Sequence, residues 1–397
     1  MIIIEIIFTQ QGWIHMKKLM IFSLISMTML SGCSLKEANA KMKTEVKPLT
    51  HLKKISLRPS SDIDGHPLIE TNKQPLFEPK ATISISPITY DSTNVTLTTI
   101  DSLEPVSKID YHIWRTADGP ESMKKFSSNQ KQTGYSYVFN PNEFSGKRGE
   151  FQVEAYNVRD NGDEELLAKS TFVFQQHVPI LMYHAIDDYQ GKGLKELFVT
   201  PANFEAQMSY LKENGYTLLT FEHWDEIKKV NKPILVTFDD SMKNNLYAFR
   251  ILQNLQDAHF QPAATEFAIA GSIDKSASHL SSTDLKEMAD SGIFSIQSHT
   301  MTHADLPTIT NYQEELEASK EKIEQITGKP VIAIAYPSGR FNNTVVEETK
   351  KYYEYAVTTK PGQFIEEDVP NELLVIHRVR ISYSTTLNQF AAMVQPR

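Results

Sequence analysis

The sequence predicts two folded units in series, an all-β sandwich followed by an α/β unit built on a parallel sheet. Three observations predict it. A chain of 397 residues exceeds the usual size of one domain. From Ala81 to Phe174, short apolar runs alternate with period two and are broken by turn residues. From Val178 onward, apolar runs of strand length alternate with segments patterned as helices.

In the first unit the strand-like runs are Ala81–Ile85, Asn94–Ile100, Ile109–Trp114, Tyr135–Phe139, Glu150–Tyr156 and Ser170–Phe174. They are rich in β-branched and aromatic residues, as half-buried strands are. About seven strands at this spacing form a sandwich. Residues 79–176 resemble an immunoglobulin-like or fibronectin type III-like module in pattern, with no specific motif to narrow the match. The expected role is a spacer. A glycan-binding role through Tyr111, Trp114 and Tyr135 is the alternative, but strand aromatics are more often core.

The second unit, residues 177–397, opens its helices with recognisable signals. Thr200 stands as an N-cap, Pro201 fits the first helical position, Phe204, Met208 and Leu211 make an apolar face, and Gly215 stops the helix. Further helices are predicted over Ser282–Gly292 and Asn311–Gly328, the latter with Leu316, Ile323 and Ile326 as its stripe. Between them lie the strand-like runs Val178–Met182, Ile234–Phe238, Ile293–Ile296, Val331–Ala335 and Leu373–Ile376. This alternation predicts a parallel sheet, open or closed into a barrel.

The chain start reads as an export segment. Lys17 and Lys18 precede a mainly apolar run, Leu19–Leu30, which ends in Leu30-Ser31-Gly32-Cys33. Leu-Ser-Gly-Cys resembles a bacterial lipobox, which implies removal of residues 1–32 and lipid attachment at Cys33. Residues 1–15 fit such a signal poorly, so translation is expected to start at Met16. Residues 33–78 are lysine-rich and poor in large apolar groups, and read as a flexible tether. The expected location is therefore extracytoplasmic, anchored to a bacterial cell membrane. Cys33 is the single cysteine, which excludes an intramolecular disulfide and any multi-cysteine zinc site. A net charge of -9, spread along the chain, removes nucleic acid as a leading partner.

Polar residues follow the strand-like runs of the second unit directly: Tyr183-His184, Asp239-Asp240, Ser298-His299, Tyr336-Pro337 and His377-Arg378. In barrels of alternating strands and helices, reactive groups gather at these C-terminal strand ends. His299 and His303 are spaced so that a helix or tight turn aims both at one point. A carboxylate from Asp239-Asp240 completes a two-His-one-carboxylate set with metal positions left open. The bland reading of Asp239-Asp240 is a cap on the following helix.

Thr237-Phe238-Asp239-Asp240-Ser241 is similar to the T-F-D-D-G motif of the polysaccharide deacetylases (NodB-homology domain, carbohydrate esterase family four), and Ser298-His299-Thr300-Met301-Thr302-His303 to their S-H-T-x-x-H motif. The resemblance covers roughly Pro179–Val394, and Tyr183-His184 with Ala335-Tyr336-Pro337-Ser338-Gly339 is similar to the poly-N-acetylglucosamine deacetylase branch. It implies a distorted (β/α) barrel, a divalent metal (zinc most commonly, with cobalt or nickel as alternatives) and removal of N-acetyl groups from a cell-wall or exported polysaccharide. Position by position, it makes Asp240, His299 and His303 metal ligands and Asp239 the general base. A backbone N–H near Tyr336, Pro337 and Gly339 is expected at the oxyanion. His377 is the first candidate acid for the leaving amine and His184 the second. Ser241 replaces the family's glycine. Ala335 stands where many members carry a base-orienting arginine, leaving Arg378 or Arg380 to supply that charge. A degenerate, glycan-binding wall protein is the alternative function. Cleavage of O-acetyl esters stays open, and the absence of H-E-x-x-H speaks against a peptidase of that kind.

Overall fold

The computed structural model describes residues 77–103 and 105–395. Cys33, the export segment and the tether up to residue 76 lie outside the described residues. Among the described residues, no helix is long and apolar enough to cross a membrane.

Seven strands make up the first part: β1 (Thr82–Ile85), β2 (Val95–Ile100), β3 (Ile109–Arg115), β4 (Lys124–Ser128), β5 (Tyr137–Phe139), β6 (Gly149–Val158) and β7 (Glu164–Phe174). They form two antiparallel sheets, ordered β1-β2-β5 and β4-β3-β6-β7. Strict alternation along β6 turns Phe151, Val153 and Ala155 inward, where they join Phe139, Phe172 and Phe174 in one core. Phe151 stacks on Phe172 with ring centroids 5.5 Å apart. Tyr111 and Tyr135 are buried in this core, and the Tyr111 hydroxyl sits 2.9 Å from Thr99 Oγ1. Two of the three aromatics considered for glycan contact are thus interior packing. Strand β4 is not among the expected strands, because its polar Lys-Lys-Phe-Ser-Ser composition belongs to an edge strand protected by lysines.

The second part continues with β8 (Ile180–Tyr183), β9 (Ala185–Ile186), β10 (Phe198–Val199), β11 (Thr217–Leu219), β12 (Pro233–Phe238), β13 (Ala264–Ala268), β14 (Phe294–Ser298), β15 (Ala333–Ala335), β16 (Tyr355–Pro361) and β17 (Ile376–Arg380). Seven of these, in the order β8-β12-β13-β14-β15-β16-β17 and back to β8, pair in parallel and close a barrel. The free start of β12 takes β11 alongside, because β13 joins that edge only at Thr237. The sheet is therefore closed, which settles the open-or-closed alternative.

Among the described residues six helices accompany it: α1 (Pro201–Glu213), α2 (Asn245–Leu255), α3 (Ser282–Asp290), α4 (Ala318–Thr327), α5 (Asn343–Thr349) and α6 (Leu387–Val394). Thr200 caps α1 by accepting from Asn203 N, with Pro201 at the first position. Ser281 and Asp284 form a capping box on α3. Gly328 ends α4 in the left-handed conformation. Alternate strand residues face two layers: Ile234, Val236 and Phe238 of β12 pack outward with Phe204 and Phe249 of the helices, while Leu235 joins Phe267, Ala335, Val357 and Ile376 inside. Phe221 and Trp224, stacked at 5.8 Å, belong to the inner cluster.

Both parts fall within one compact unit. Glu150 N donates to Lys228 O at 2.7 Å, Arg115 Nη2 to Val230 O at 3.2 Å and Gln176 Nε2 to Ile227 O at 2.6 Å. Gly149 makes this seam possible: at φ 110° its bare Cα lets the Lys228 carbonyl approach, and a Cβ there would lie 2.9 Å from that oxygen.

Candidate active site

Period two along the strands decides which side chains enter the barrel mouth. Leu235, Thr237 and Asp239 fall on one face at β12, Ser295, Gln297 and His299 at β14, and Ile376, Arg378 and Arg380 at β17. Asp240 and Ser241 then adopt φ of 73° and 50°, a sharp turn at the end of β12. Helix α2 starts only at Asn245 with Asn244 as its N-cap, so neither aspartate caps it. After β14, Thr300 (φ 66°) and His303 (φ 60°) fold the chain back on itself. Left-handed conformations at non-glycine residues cost about 1–3 kcal/mol each and persist only where the surroundings hold them.

Asp240 Oδ1 lies 3.5 Å from His299 Nε2 and 3.7 Å from His303 Nε2, and the three candidate ligand atoms lie within 4.8 Å of one another. His299 Nδ1 faces the Ala335 carbonyl at 2.7 Å. A carbonyl only accepts, so Nδ1 carries the hydrogen and Nε2 turns its lone pair to the mouth. Two acceptors facing each other repel unless a cation lies between them. Burial alone would lower the His299 pKa, but the hydrogen bond and charge of Asp240, with the charge of Asp239, outweigh it and raise it. Burial likewise opposes ionisation of Asp240, and His299 reverses that effect and lowers its pKa. The pair thus favours a positive charge held between them. Atoms bound at about 2.1 Å to a tetrahedral zinc stand about 3.4 Å apart, close to the 3.5 and 3.7 Å that separate Asp240 Oδ1 from the two histidines. The donor set fits a divalent cation.

Asp239 is buried and meets Arg378 through two bonds, Nη1 to Oδ1 at 2.8 Å and Nη2 to Oδ2 at 2.7 Å. Burial would raise this carboxyl, but the Arg378 guanidinium, followed by His299 and His184, holds it far below the usual carboxylate range. Arg378 also donates to Thr237 Oγ1 at 3.1 Å and, through Nε, to Thr358 O at 2.9 Å, so β12 and β16 together fix its fork.

A cleft of about 320 Å³ opens over these groups, lined by His184, Asp239, Asp240, His299, His303, Arg380, Ser338 and Thr359, with Leu194 and Leu197 at its edge. His184 therefore stands in the cleft. His377 does not. It is an exposed residue on β17 between Ile376 and Arg378, and period two turns it away from the mouth. The expected strand Leu373–Ile376 begins instead at Ile376, which puts His377 inside the strand and not past its end. The oxyanion expectation also changes. Tyr336 N donates to Val357 O, Gly339 N donates to Tyr336 O, and Pro337 has no N–H, while neighbouring Ser338 lines the cleft. Gly339 has a packing role: at φ 67°, a Cβ would fall 2.0 Å from Thr359 Oγ1.

Several parts of this arrangement carried no signal in the sequence reading. The Ala335 contribution is a backbone carbonyl, invisible in residue identity. Thr359 rides on β16, and Glu266, fully buried on β13, faces Asn245 of α2 at 3.1 and 3.3 Å. Neither strand was predicted, since polar residues interrupt both apolar runs.

Comparison with known proteins agrees with this site. The family profile for polysaccharide deacetylases matches residues 226–356. The solved structure of BC0361, a polysaccharide deacetylase from Bacillus cereus, is 58% identical, covers 80% of this chain and 100% of that one, and superposes with a TM-score of 0.78. YxkH of Bacillus subtilis (strain 168), named as a polysaccharide deacetylase, is 34% identical over 227 residues, which is 55% of this chain and 76% of that protein. A poly-β-1,6-N-acetyl-D-glucosamine N-deacetylase of Staphylococcus aureus (strain MRSA252) is 26% identical over 181 residues, 41% of this chain and 60% of that enzyme. With a closed parallel barrel, the Asp240–His299–His303 cluster at its mouth and relatives matched over most of their length, the chain belongs to the polysaccharide deacetylase family.

Proposed function

We propose that this N-deacetylase removes acetyl groups from N-acetylglucosamine residues of a cell-wall or exported polysaccharide, using a divalent metal held by Asp240, His299 and His303. The observation that carries the reading is their convergence on one point beside an Asp239 kept ionised by Arg378. The Staphylococcus aureus relative, through its printed substrate, supports a poly-N-acetylglucosamine polymer. Peptidoglycan offers the same sugar.

A bound zinc, or cobalt or nickel in its place, would acidify water and polarise the amide carbonyl. Asp239 supplies the base: its carboxylate, ionised at rest, takes the proton from the attacking water. Arg378 orients that carboxylate and spares it the cost of a buried unpaired charge. His184 hands a proton to the leaving amine. Burial lowers the pKa of His184 against the pull of Asp239 and Asp240, and the proton it hands on is the one that Asp239 takes from the water. Arg380, exposed among the residues lining the cleft, would meet the polar face of the glycan.

The Leu30-Ser31-Gly32-Cys33 signature supports export and lipid attachment at Cys33 on the outer face of a bacterial membrane, where such polymers lie. The N-terminal pair of sheets then serves as an immunoglobulin-like or fibronectin III-like spacer. The test is acetate release from chitooligosaccharides and poly-N-acetylglucosamine by chelator-stripped protein, with and without zinc or cobalt. Metal-dependent release is expected, and its absence from every N-acetylated glycan would sink the reading.

A further inference from the structure

The segment that carries His303 is held in a conformation it would not choose by itself. Thr300 and His303 both have φ near +60°, a region that a β-branched threonine strongly disfavours. Two structures grip the loop. On one side, Ala270 N donates to Thr300 O at 3.0 Å and Gly271 N to Met301 O at 2.7 Å; a Cβ on Gly271 would lie 2.4 Å from that oxygen. On the other stands Glu315.

Glu315 is buried and belongs to a single π-helical turn, Gln313–Glu317, that leads into α4. Its carboxylate closes on one residue: Thr302 N donates to Oε2 at 2.9 Å and Thr302 Oγ1 to Oε1 at 2.6 Å. Its own carbonyl accepts from Met301 N at 3.2 Å. Three bonds from Glu315 therefore hold the two residues immediately before His303. Insertion of one residue into a helix re-aims the side chains of that turn, and such insertions recur beside functional sites. No lysine, arginine or histidine among the described residues forms an ion pair with this carboxylate, and Thr302 supplies its two hydrogen bonds.

We propose that Glu315 is a positioning residue that fixes His303 Nε2 against Asp240 by clamping Thr302, and so sets the affinity of the site for its cation. This rests on the metal-holding role proposed above for Asp240, His299 and His303. Glu315 is not among the residues that line the cleft. Residues behind the ligands of a metal site typically change its affinity by about 10- to 100-fold.

The experiment titrates the chelator-stripped, full-length protein with cobalt, read by visible absorption, and with zinc in competition. Wild type, His303→Ala, Glu315→Ala, Glu315→Gln and Thr302→Val are compared, with far-UV circular dichroism and thermal midpoints of the metal-free forms recorded alongside. Glu315→Ala is expected to weaken cobalt binding about 10- to 100-fold and to alter the absorption bands, with Glu315→Gln and Thr302→Val falling between it and wild type. If Glu315→Ala does not fold, the other two variants decide, since each keeps part of the clamp. Cobalt affinity within twofold of wild type in every folded clamp variant, alongside loss of binding in His303→Ala, overturns this inference and leaves the metal reading standing. A wild-type chain that binds no cobalt overturns both.

Discussion

Arg378 and Asp239 face each other across the barrel mouth as a fork on a fork, with paired contacts of 2.8 and 2.7 Å and both side chains buried. Breaking such a pair from one side strands a charge in a low-dielectric interior, which costs about 3–5 kcal/mol. Arg378→Met is therefore expected to lower the urea midpoint strongly and to abolish deacetylation. Arg378→Lys keeps the charge but loses the fork, and should recover only part of either property. Because the folded-state pKa of Asp239 is depressed, the stability it contributes is present at pH values above its unfolded value of about 3.9 and is lost only as pH falls toward the folded value. Neutral-pH unfolding curves of the three proteins check the order. Equal midpoints for wild type and Arg378→Met would remove the pair from the account of the site.

Of the two histidines read as proton donors, position favours one. His184 lines the cleft with Asp239 and Asp240, whereas His377 sits exposed on the opposite face of β17 from Arg378. General acid or base groups contribute about 10²- to 10⁴-fold to rate. His184→Ala is expected to reduce kcat by that order, and His377→Ala to stay within twofold of wild type. A large loss from His377→Ala with an active His184→Ala would reverse the assignment.

Ser241 carries two costs at once. Its φ of 50° suits glycine, and its buried Oγ has no hydrogen-bond partner among the described residues. Strain of this kind costs about 1–3 kcal/mol, and an unsatisfied buried hydroxyl about the same. Glycine gives back about 0.4–1 kcal/mol through the freer unfolded chain. Ser241→Gly should therefore stabilise by about 1–5 kcal/mol and raise Tm by about 2–4 °C per kcal/mol, with activity retained. A thermal scan that shows a lower Tm would mean that Ser241 makes a contact this turn does not reveal.

What the sequence made legible follows from where chemistry is written in side chains. Asp239, Asp240, His299 and His303 were readable because strand ends converge in a barrel, and the structure brings all four to one mouth. The proton-donor half was misplaced by phase. Reading β17 a few residues early put His377 past the strand end, when it is the second residue of a strand whose inward positions are Ile376, Arg378 and Arg380. Strands β13 and β16 escaped because Thr265, Glu266, Thr358 and Thr359 break their apolar runs. The π turn at Gln313–Glu317 was hidden inside an expected helix, since one added residue barely disturbs the Leu316, Ile323 and Ile326 stripe.

Glu266 offers a pH-dependent test of the layer behind the site. It is fully buried on the outer face of β13, with Asn245 of α2 as its side-chain partner. Burial pushes its carboxyl well above the ordinary range, Asp239 and Asp240 push the same way, and the Asn245 amide and Ser241 N–H oppose them. The native protein then keeps a proton that the unfolded chain releases above about pH 4.3. Its stability is intact below that value and falls as pH rises toward the folded-state pKa, by up to about 1.4 kcal/mol per pH unit. Glu266→Gln keeps the shape and removes the titration. Relative to wild type it should be equal or slightly weaker near pH 4, where a second amide meets Asn245, and gain steadily toward pH 8. Urea midpoints at pH 4, 6 and 8 measure the difference. A gap that stays constant across that range would mean that Glu266 is ionised in the fold, and the charge it adds behind Asp239 and Asp240 would then need a cation to balance it.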